Sequence, residues 1–362
     1  MKNEIQAAYL ILENGKIFAG RRIGAEIESI GELVFTTGMT GYLETLTDPG
    51  CAGQIILQTF PLIGNCGVIS TDLEGDCFAK GYVVRELCDT PSNFRSEYKL
   101  DRFLKEQGIP GVCGVDTRAI TRIIREEGVM NACICDTSSA DLQRLKNYKM
   151  RGGVSMVSGK TITEYPAEGT ELFYVALLDY GVKRSIIRCL CRRGCRVTVL
   201  PHDTPAETVL GLKPDGLVLS NGPGDPAENV YEIVQLQKLI GKLPVFGICL
   251  GHQLAALAMG GKVVKLKCGH RGANQPVRLI DGSRTWITNQ NHGYVVVSES
   301  MEGIAKLSYV NVNDLSCEGL DYPDRRCFTV QFHPEARGGP QDTEFLFDRF
   351  IAMMKGEQDA KG

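Results

Sequence analysis

The stretch Pro244-Val-Phe-Gly-Ile-Cys-Leu-Gly-His-Gln253 constrains the fold of this chain more than any other. Leu243 to Ile248 is a short apolar run of the kind that forms a buried strand. His252 to Met259 is rich in Ala and Leu and reads as a helix. Between them, Cys249 stands in a turn bracketed by Gly247 and Gly251. A strand, a sharp turn carrying a nucleophile and a helix make a nucleophile elbow, here with cysteine in place of serine. The expectation is a chain organised around the activation of Cys249.

The rest of the sequence gives that elbow a setting. From Leu172 strands and helices alternate: strand Leu172–Leu178, helix Val182–Arg193, strand Arg196–Leu200, strand Gly216–Ser220, helix Glu228–Ile240, then the elbow. Alternation of this kind predicts a parallel, doubly wound sheet. Short strands are expected around Val263, Val277, Trp286, Val295 and Leu307. Strand Cys327–Gln331 leads into His333, and a closing helix covers Phe345–Met354. Before residue 150 the pattern is mostly strands with glycine-rich turns, plus helices at Leu100–Gln107 and between Asp116 and Gly128. With 362 residues, the chain exceeds the ~250–300 at which one core usually splits. The expected fold class is α/β: a β-rich α/β domain over 1–152, a linker over 153–171, and a doubly wound domain over 172–362.

Composition narrows the function. The formal net charge is -3, with Lys and Arg scattered, so neither nucleic acid nor an acidic membrane surface is expected as a partner. The apolar stretch Ala7–Leu12 ends at Glu13-Asn14, so no secretory leader and no membrane span is expected. Fourteen cysteines lie mostly inside apolar runs, which suits free thiols in the cytoplasm. Cys133-Ile-Cys135 and Cys189-Leu-Cys191 are too tightly spaced for a zinc knuckle, and no metal site is expected. Ser158-Gly-Lys-Thr161 resembles the end of a P-loop, but Val154 stands where its first glycine belongs, and no strand precedes it.

A thiol must ionise to act as a nucleophile. At the start of a helix, backbone N–H groups favour the anion. Five histidines compete as the base. His333, beyond a strand end, has Glu335 two residues away to orient it, which gives a Cys–His–Glu triad. His252 is expected to point along its helix, away from the thiol. His292 either lines the pocket or sits in a turn, and His202 and His270 read as structural or exposed. The N–H of Leu250 is placed for an oxyanion. The loop Asn221-Gly-Pro-Gly-Asp-Pro-Ala227 formally matches a dinucleotide motif. Its two prolines argue against that use, and Gly224 N–H becomes the second oxyanion donor.

These motifs resemble a known family. Gly247-Ile-Cys-Leu-Gly-His-Gln253, His333-Pro-Glu335 and Gly222-Pro-Gly-Asp225 are similar to the class I (triad) glutamine amidotransferase domain. Gly31-Glu-Leu-Val-Phe35, Met39-Thr-Gly-Tyr42, Leu46-Thr-Asp-Pro49, Pro61-Leu-Ile-Gly-Asn65, Ser92-Asn-Phe-Arg95, Asp116-Thr-Arg118 and Gln290-Asn-His-Gly293 resemble the small chain of carbamoyl phosphate synthetase. The resemblance implies hydrolysis of L-glutamine through a thioester on Cys249, with His333 as base and Glu335 as its orienter. It implies glutamine contacts at Gly50, Gly222, Gly224, Leu250, Gln253, Asn291, Gly293 and Tyr294. It also implies a large-chain partner that uses the ammonia with bicarbonate and ATP, and that holds the ATP and metal ions; no cofactor is implied for this chain.

Two positions depart from the pattern. Gly50 stands where the family commonly has a serine whose hydroxyl reaches glutamine. Either affinity is reduced, or water or backbone substitutes. Tyr294 replaces the usual Phe. A catalytically silent scaffold is the alternative to which Gly50 leans. Another triad amidotransferase is the second alternative, and the β-rich first half argues against it.

Overall fold

The computed structural model describes residues 6–356. The chain divides after Arg151 into two compact units. In the first, seven strands close into a barrel in the order Ala7–Leu12, Ile17–Gly24, Pro110–Cys113, Gly81–Val84, Gln54–Gln58, Ser29–Thr36 and Met130–Cys135. The last strand pairs back onto the first, so no edge is left open. Leu10, Leu12, Leu33, Ile55, Leu57, Val83, Val112 and Ile134 fill one core of this unit. A Cβ at Gly81 would lie 2.5 Å from Ile134 Cδ1, which explains a glycine at the start of that strand. Helix Thr117–Glu127 adds Ile120 and Ile124, one turn apart, to the same core. Asp116 caps its start by accepting from Ala119 N–H at 2.9 Å, and Gly128, at φ 101°, ends it. This helix matches the sequence expectation.

The second unit is built on a ten-stranded sheet. Its parallel centre runs Cys195–Pro201, Phe173–Asp179, Gly216–Leu219, Val245–Ile248 and Cys327–Val330. The chain then continues the sheet antiparallel through Cys317–Tyr322, Lys306–Asn311, Val263–Leu279 and Thr285–Val296. Leu178, Leu217, Leu236, Val245 and Leu254 pack on one face. Val175, Leu190, Phe246, Phe347 and Phe350 pack on the other, with Phe246 and Phe328 stacked at 4.5 Å between ring centres. Layers on both faces make the centre doubly wound, as expected.

Three expectations need correction. The segment 153–171, read as a linker, carries helix Gly153–Val157 and strand Thr163–Tyr165. That strand pairs with Cys195–Pro201 and forms one edge of the sheet. Its polar composition reflects an exposed edge strand rather than a tether. The short strands expected around Val263, Val277, Trp286 and Val295 are pieces of two long strands of one hairpin, interrupted by bulges between Lys265 and His270 and between Gly272 and Gln275. Bulges break the alternation from which strands are read. Strand Cys317–Tyr322 and helix Ala206–Gly211 were not anticipated.

Candidate active site

Parallel strands bring their carboxyl ends to one edge of a sheet, and the functional side chains follow from that. Val245–Ile248 ends at Cys249, Cys327–Val330 ends two residues before Phe332-His333, Gly216–Leu219 leads into Asn221–Ala227, and Phe173–Asp179 leads to Lys183. Four sequence-distant segments therefore meet at one place.

Cys249 has φ 54° and ψ -102°, outside the regions an L-residue favours. Such strain costs on the order of 1–3 kcal/mol and persists only where neighbours enforce it. Cys249 N–H donates to Val330 O at 2.9 Å, and Gly251 N–H donates to Ser220 O at 3.0 Å. The bracketing glycines serve close approach rather than positive φ. A Cβ at Gly251 would sit 2.4 Å from Leu219 O, and one at Gly247 would sit 2.8 Å from Thr329 Cγ2. The positive φ falls on the cysteine itself, which begins helix Leu250–Ala258.

His333 is buried. Its Nδ1–H donates to Glu335 Oε1 at 2.8 Å, and Lys183 Nζ donates to the same oxygen at 2.7 Å. Burial opposes a charged ring, but the charge of Glu335 outweighs it, and His333 is pushed up to about 10. Burial likewise opposes a charged Glu335, but Lys183 and His333 win and hold it at about 2. The outcome is a buried row of Lys⁺, carboxylate and imidazolium whose other nitrogen, Nε2, makes no hydrogen bond. His333 N–H also donates to Asn289 O at 2.9 Å, which ties the triad segment to the long hairpin.

The family model for the class I glutamine amidotransferase matches residues 176–353, and the carbamoyl-phosphate synthase small chain model matches residues 10–134. A carbamoyl phosphate synthase small chain of Listeria monocytogenes serotype 4b is 47% identical over 97% of this chain and 98% of its own length. One from Fusobacterium nucleatum is 48% identical over 94% of this chain and 96% of its own. The carbamoyl phosphate synthase pyrimidine-specific small chain of Bacillus subtilis is 46% identical over 96% and 95%. The chain belongs to the carbamoyl phosphate synthase small chain family. Glutamine hydrolysis by a class I amidotransferase unit is the activity that membership gives it.

Within this family member, the structure brings most of the expected residues together. Leu250 is the first helical residue after Cys249, so its N–H has no acceptor within the helix. A Cβ on Gly222 would lie 2.8 Å from Leu250 Cδ2, which places that loop over the elbow. Gly224 follows at φ 92°. Asn291 O lies 3.8 Å from Cys249 Sγ. Gln253 Nε2 donates to Tyr294 O at 2.8 Å and to Gln331 Oε1 at 2.9 Å, and Gly293 lies between Asn291 and Tyr294. Gly50 belongs to the first unit, in the turn Pro49–Cys51, where its N–H donates to Asp48 Oδ1 at 2.8 Å. His252 turns its Nδ1 to Thr329 Oγ1 at 2.7 Å, and burial pushes it down to about 3. His202 is held 2.5 Å from Glu232.

Sequence reasoning missed Lys183 and Gln331. Gln331 Nε2 lies 3.6 Å from Cys249 Sγ. A reader could have found Gln331 as the polar residue ending a strand two positions before His333. Lys183 carries no such signal, since a lysine just before a helix is ordinarily solvated.

Proposed function

We propose that Cys249 is the nucleophile of this glutaminase, that His333 is its base and acid, and that Glu335 orients the ring. The observation that carries this is the strained Cys249 at a helix start beside the buried His333–Glu335–Lys183 row. The thiolate attacks the carboxamide carbon of L-glutamine, and a C–S bond forms. The oxyanion is held by the N–H groups of Leu250 and Gly224. His333 gives its proton to the nitrogen, the C–N bond breaks, and ammonia leaves a γ-glutamyl thioester. Water then attacks the thioester as His333 takes a proton, glutamate departs, and the thiol is restored. Gly222, Gln253, Asn291, Gly293 and Tyr294 complete the glutamine site of this unit, several of them through backbone groups.

The ammonia serves a large-chain partner, which carries the ATP and metal ions and makes carbamoyl phosphate from bicarbonate. Free ammonia is mostly protonated at neutral pH, so a partner held in contact preserves the nucleophile. All fourteen cysteines are free thiols, which supports a cytoplasmic setting. None of the described helices is long and apolar enough to cross a membrane. In the complex, Cys249→Ser is expected to abolish carbamoyl phosphate synthesis from glutamine and to leave synthesis from added ammonia intact. Loss of both together would contradict the proposal. Persistent glutamine-dependent synthesis would contradict it as well.

A further inference from the structure

A second cluster of titratable side chains lies on the strands of the long hairpin and the two beside it, next along the chain from Asn291. One donor atom from each of His270, His292 and Glu318 comes within 4.8 Å of the others. Three observations set these atoms apart from ordinary buried polar groups.

The first is a hydrogen-bond account around His292, which is fully enclosed. Its Nδ1 lies 2.8 Å from Tyr294 O, an acceptor, so Nδ1 carries the proton. Its Nε2 lies 3.1 Å from Gln290 Oε1. The orientation of that amide is fixed on its other side. Thr288 donates its hydroxyl proton to Gln275 O at 2.9 Å and so accepts from Gln290 Nε2 at 3.1 Å. In the tautomer with its proton on Nδ1, the lone pair of Nε2 faces an amide oxygen with no proton between them.

The second observation is Glu318, wholly buried, whose Oε2 has no hydrogen-bond partner; Asn311 reaches only Oε1, at 3.1 Å. The third is His270. Its Nε2 lies against Asp314 at 2.9 Å, while Nδ1 stands 3.4 Å from Glu318 Oε1 without hydrogen-bond alignment. A backbone carbonyl on one ring, a carboxylate on the other, and an amide on the acid are the outer partners that metal ligands ordinarily have.

We propose that His270 Nδ1, His292 Nε2 and Glu318, with Gln290 Oε1 as a fourth donor, form a site for a divalent cation of the zinc type. Two imidazoles and one carboxylate are a ligand set that zinc accepts at ~2.0–2.2 Å, which spaces tetrahedral donors about 3.3–3.6 Å apart. The His270–Glu318 pair already has that spacing, and no pair, all within 4.8 Å, need close by more than about 1.5 Å. A cation would satisfy the facing lone pairs and the orphan carboxylate oxygen together. It would also pin the strand carrying Asn291, Gly293 and Tyr294 beside Cys249, without entering the hydrolytic steps. Binding at this cluster is independent of the glutaminase assignment.

The test is titration of the chelator-treated full chain with Co²⁺, read by visible absorption, and with Zn²⁺, read by calorimetry. The expected result is a single metal per chain, with a nitrogen–oxygen cobalt spectrum and no thiolate charge-transfer band. Binding is lost in His270→Ala and in the isosteric Glu318→Gln, and is retained in Cys249→Ser. Absence of stoichiometric binding by the unmodified chain overturns the proposal whatever the variants do. So does a thiolate band, or binding lost in Cys249→Ser but kept in Glu318→Gln.

Discussion

Two buried imidazole–carboxylate pairs sit in the same unit, and a third partner makes them different. At His333–Glu335 the third partner is Lys183, whose charge falls on the carboxylate and holds it ionised. At His270–Glu318 the third partner is Asp314, whose charge falls on the ring, while the carboxylate meets the neutral amide of Asn311 in place of a lysine. In the first pair one ring nitrogen remains available, and it faces a thiol. In the second, both ring nitrogens point at carboxylates, and no nucleophile is in contact. The lysine thus separates a pair that can move a proton from one suited to holding a cation.

The largest expected difference between the pairs is catalytic. His333→Asn should lower glutamine hydrolysis by ~10²–10⁴-fold, the range for a lost general acid–base group. His270→Asn should cost at most about tenfold, and mainly in KM, because it acts through the strand that carries Asn291. Steady-state kinetics on both variants checks this, and equal losses in kcat would erase the distinction drawn here.

The next effect is on stability. Lys183→Met leaves Glu335 with one buried counter-charge instead of two. Breaking a buried pair in this way costs about 3–5 kcal/mol, measurable by urea denaturation. A loss below about 1 kcal/mol, the value of a surface pair, would mean that the row is not desolvated.

A third effect is the pH dependence of that stability. His333 rises from 6.5 to about 10, so its contribution is complete below pH 6.5 and disappears as pH climbs through 10. Glu335 falls from 4.5 to about 2, so its contribution is complete above pH 4.5 and disappears as pH drops through 2. Denaturation series on the native chain should therefore weaken above pH 6.5, by no more than about 1.4 kcal/mol per pH unit from this group. In Glu335→Gln that alkaline slope should flatten. An unchanged slope in the variant would assign it to other groups.

The catalytic side of this comparison was largely legible in the sequence, and the other side was not. Cys249, His333 and Glu335 occupy short segments at strand ends, where a turn, a base and its orienter can be read from neighbours in the chain. The alternation from Leu172 gave the parallel centre of the sheet for the same local reason. The antiparallel half resisted, because bulges after Lys265 and Gly272 shift the register and hide a 17-residue strand. The segment 153–171 was misread because an exposed edge strand has the composition of a tether. Lys183 is 152 positions from Glu335, and His270 and Glu318 meet only through the pairing of three strands. No spacing rule reaches across such distances. Gly50, which the resemblance set beside glutamine, lies in the other unit, in a turn whose own geometry is fully accounted for by Asp48.

Glutamine hydrolysis at this site turns on Cys249 Sγ as the atom that takes the glutamyl group. Intact-mass analysis of the native chain, acid-quenched during turnover of L-glutamine and followed by peptide mapping, addresses it most directly. The prediction is a γ-glutamyl adduct on Cys249 that is released by hydroxylamine and is absent in Cys249→Ser. Glutamine turnover with no adduct on Cys249, or an adduct on another of the fourteen cysteines, would contradict the account.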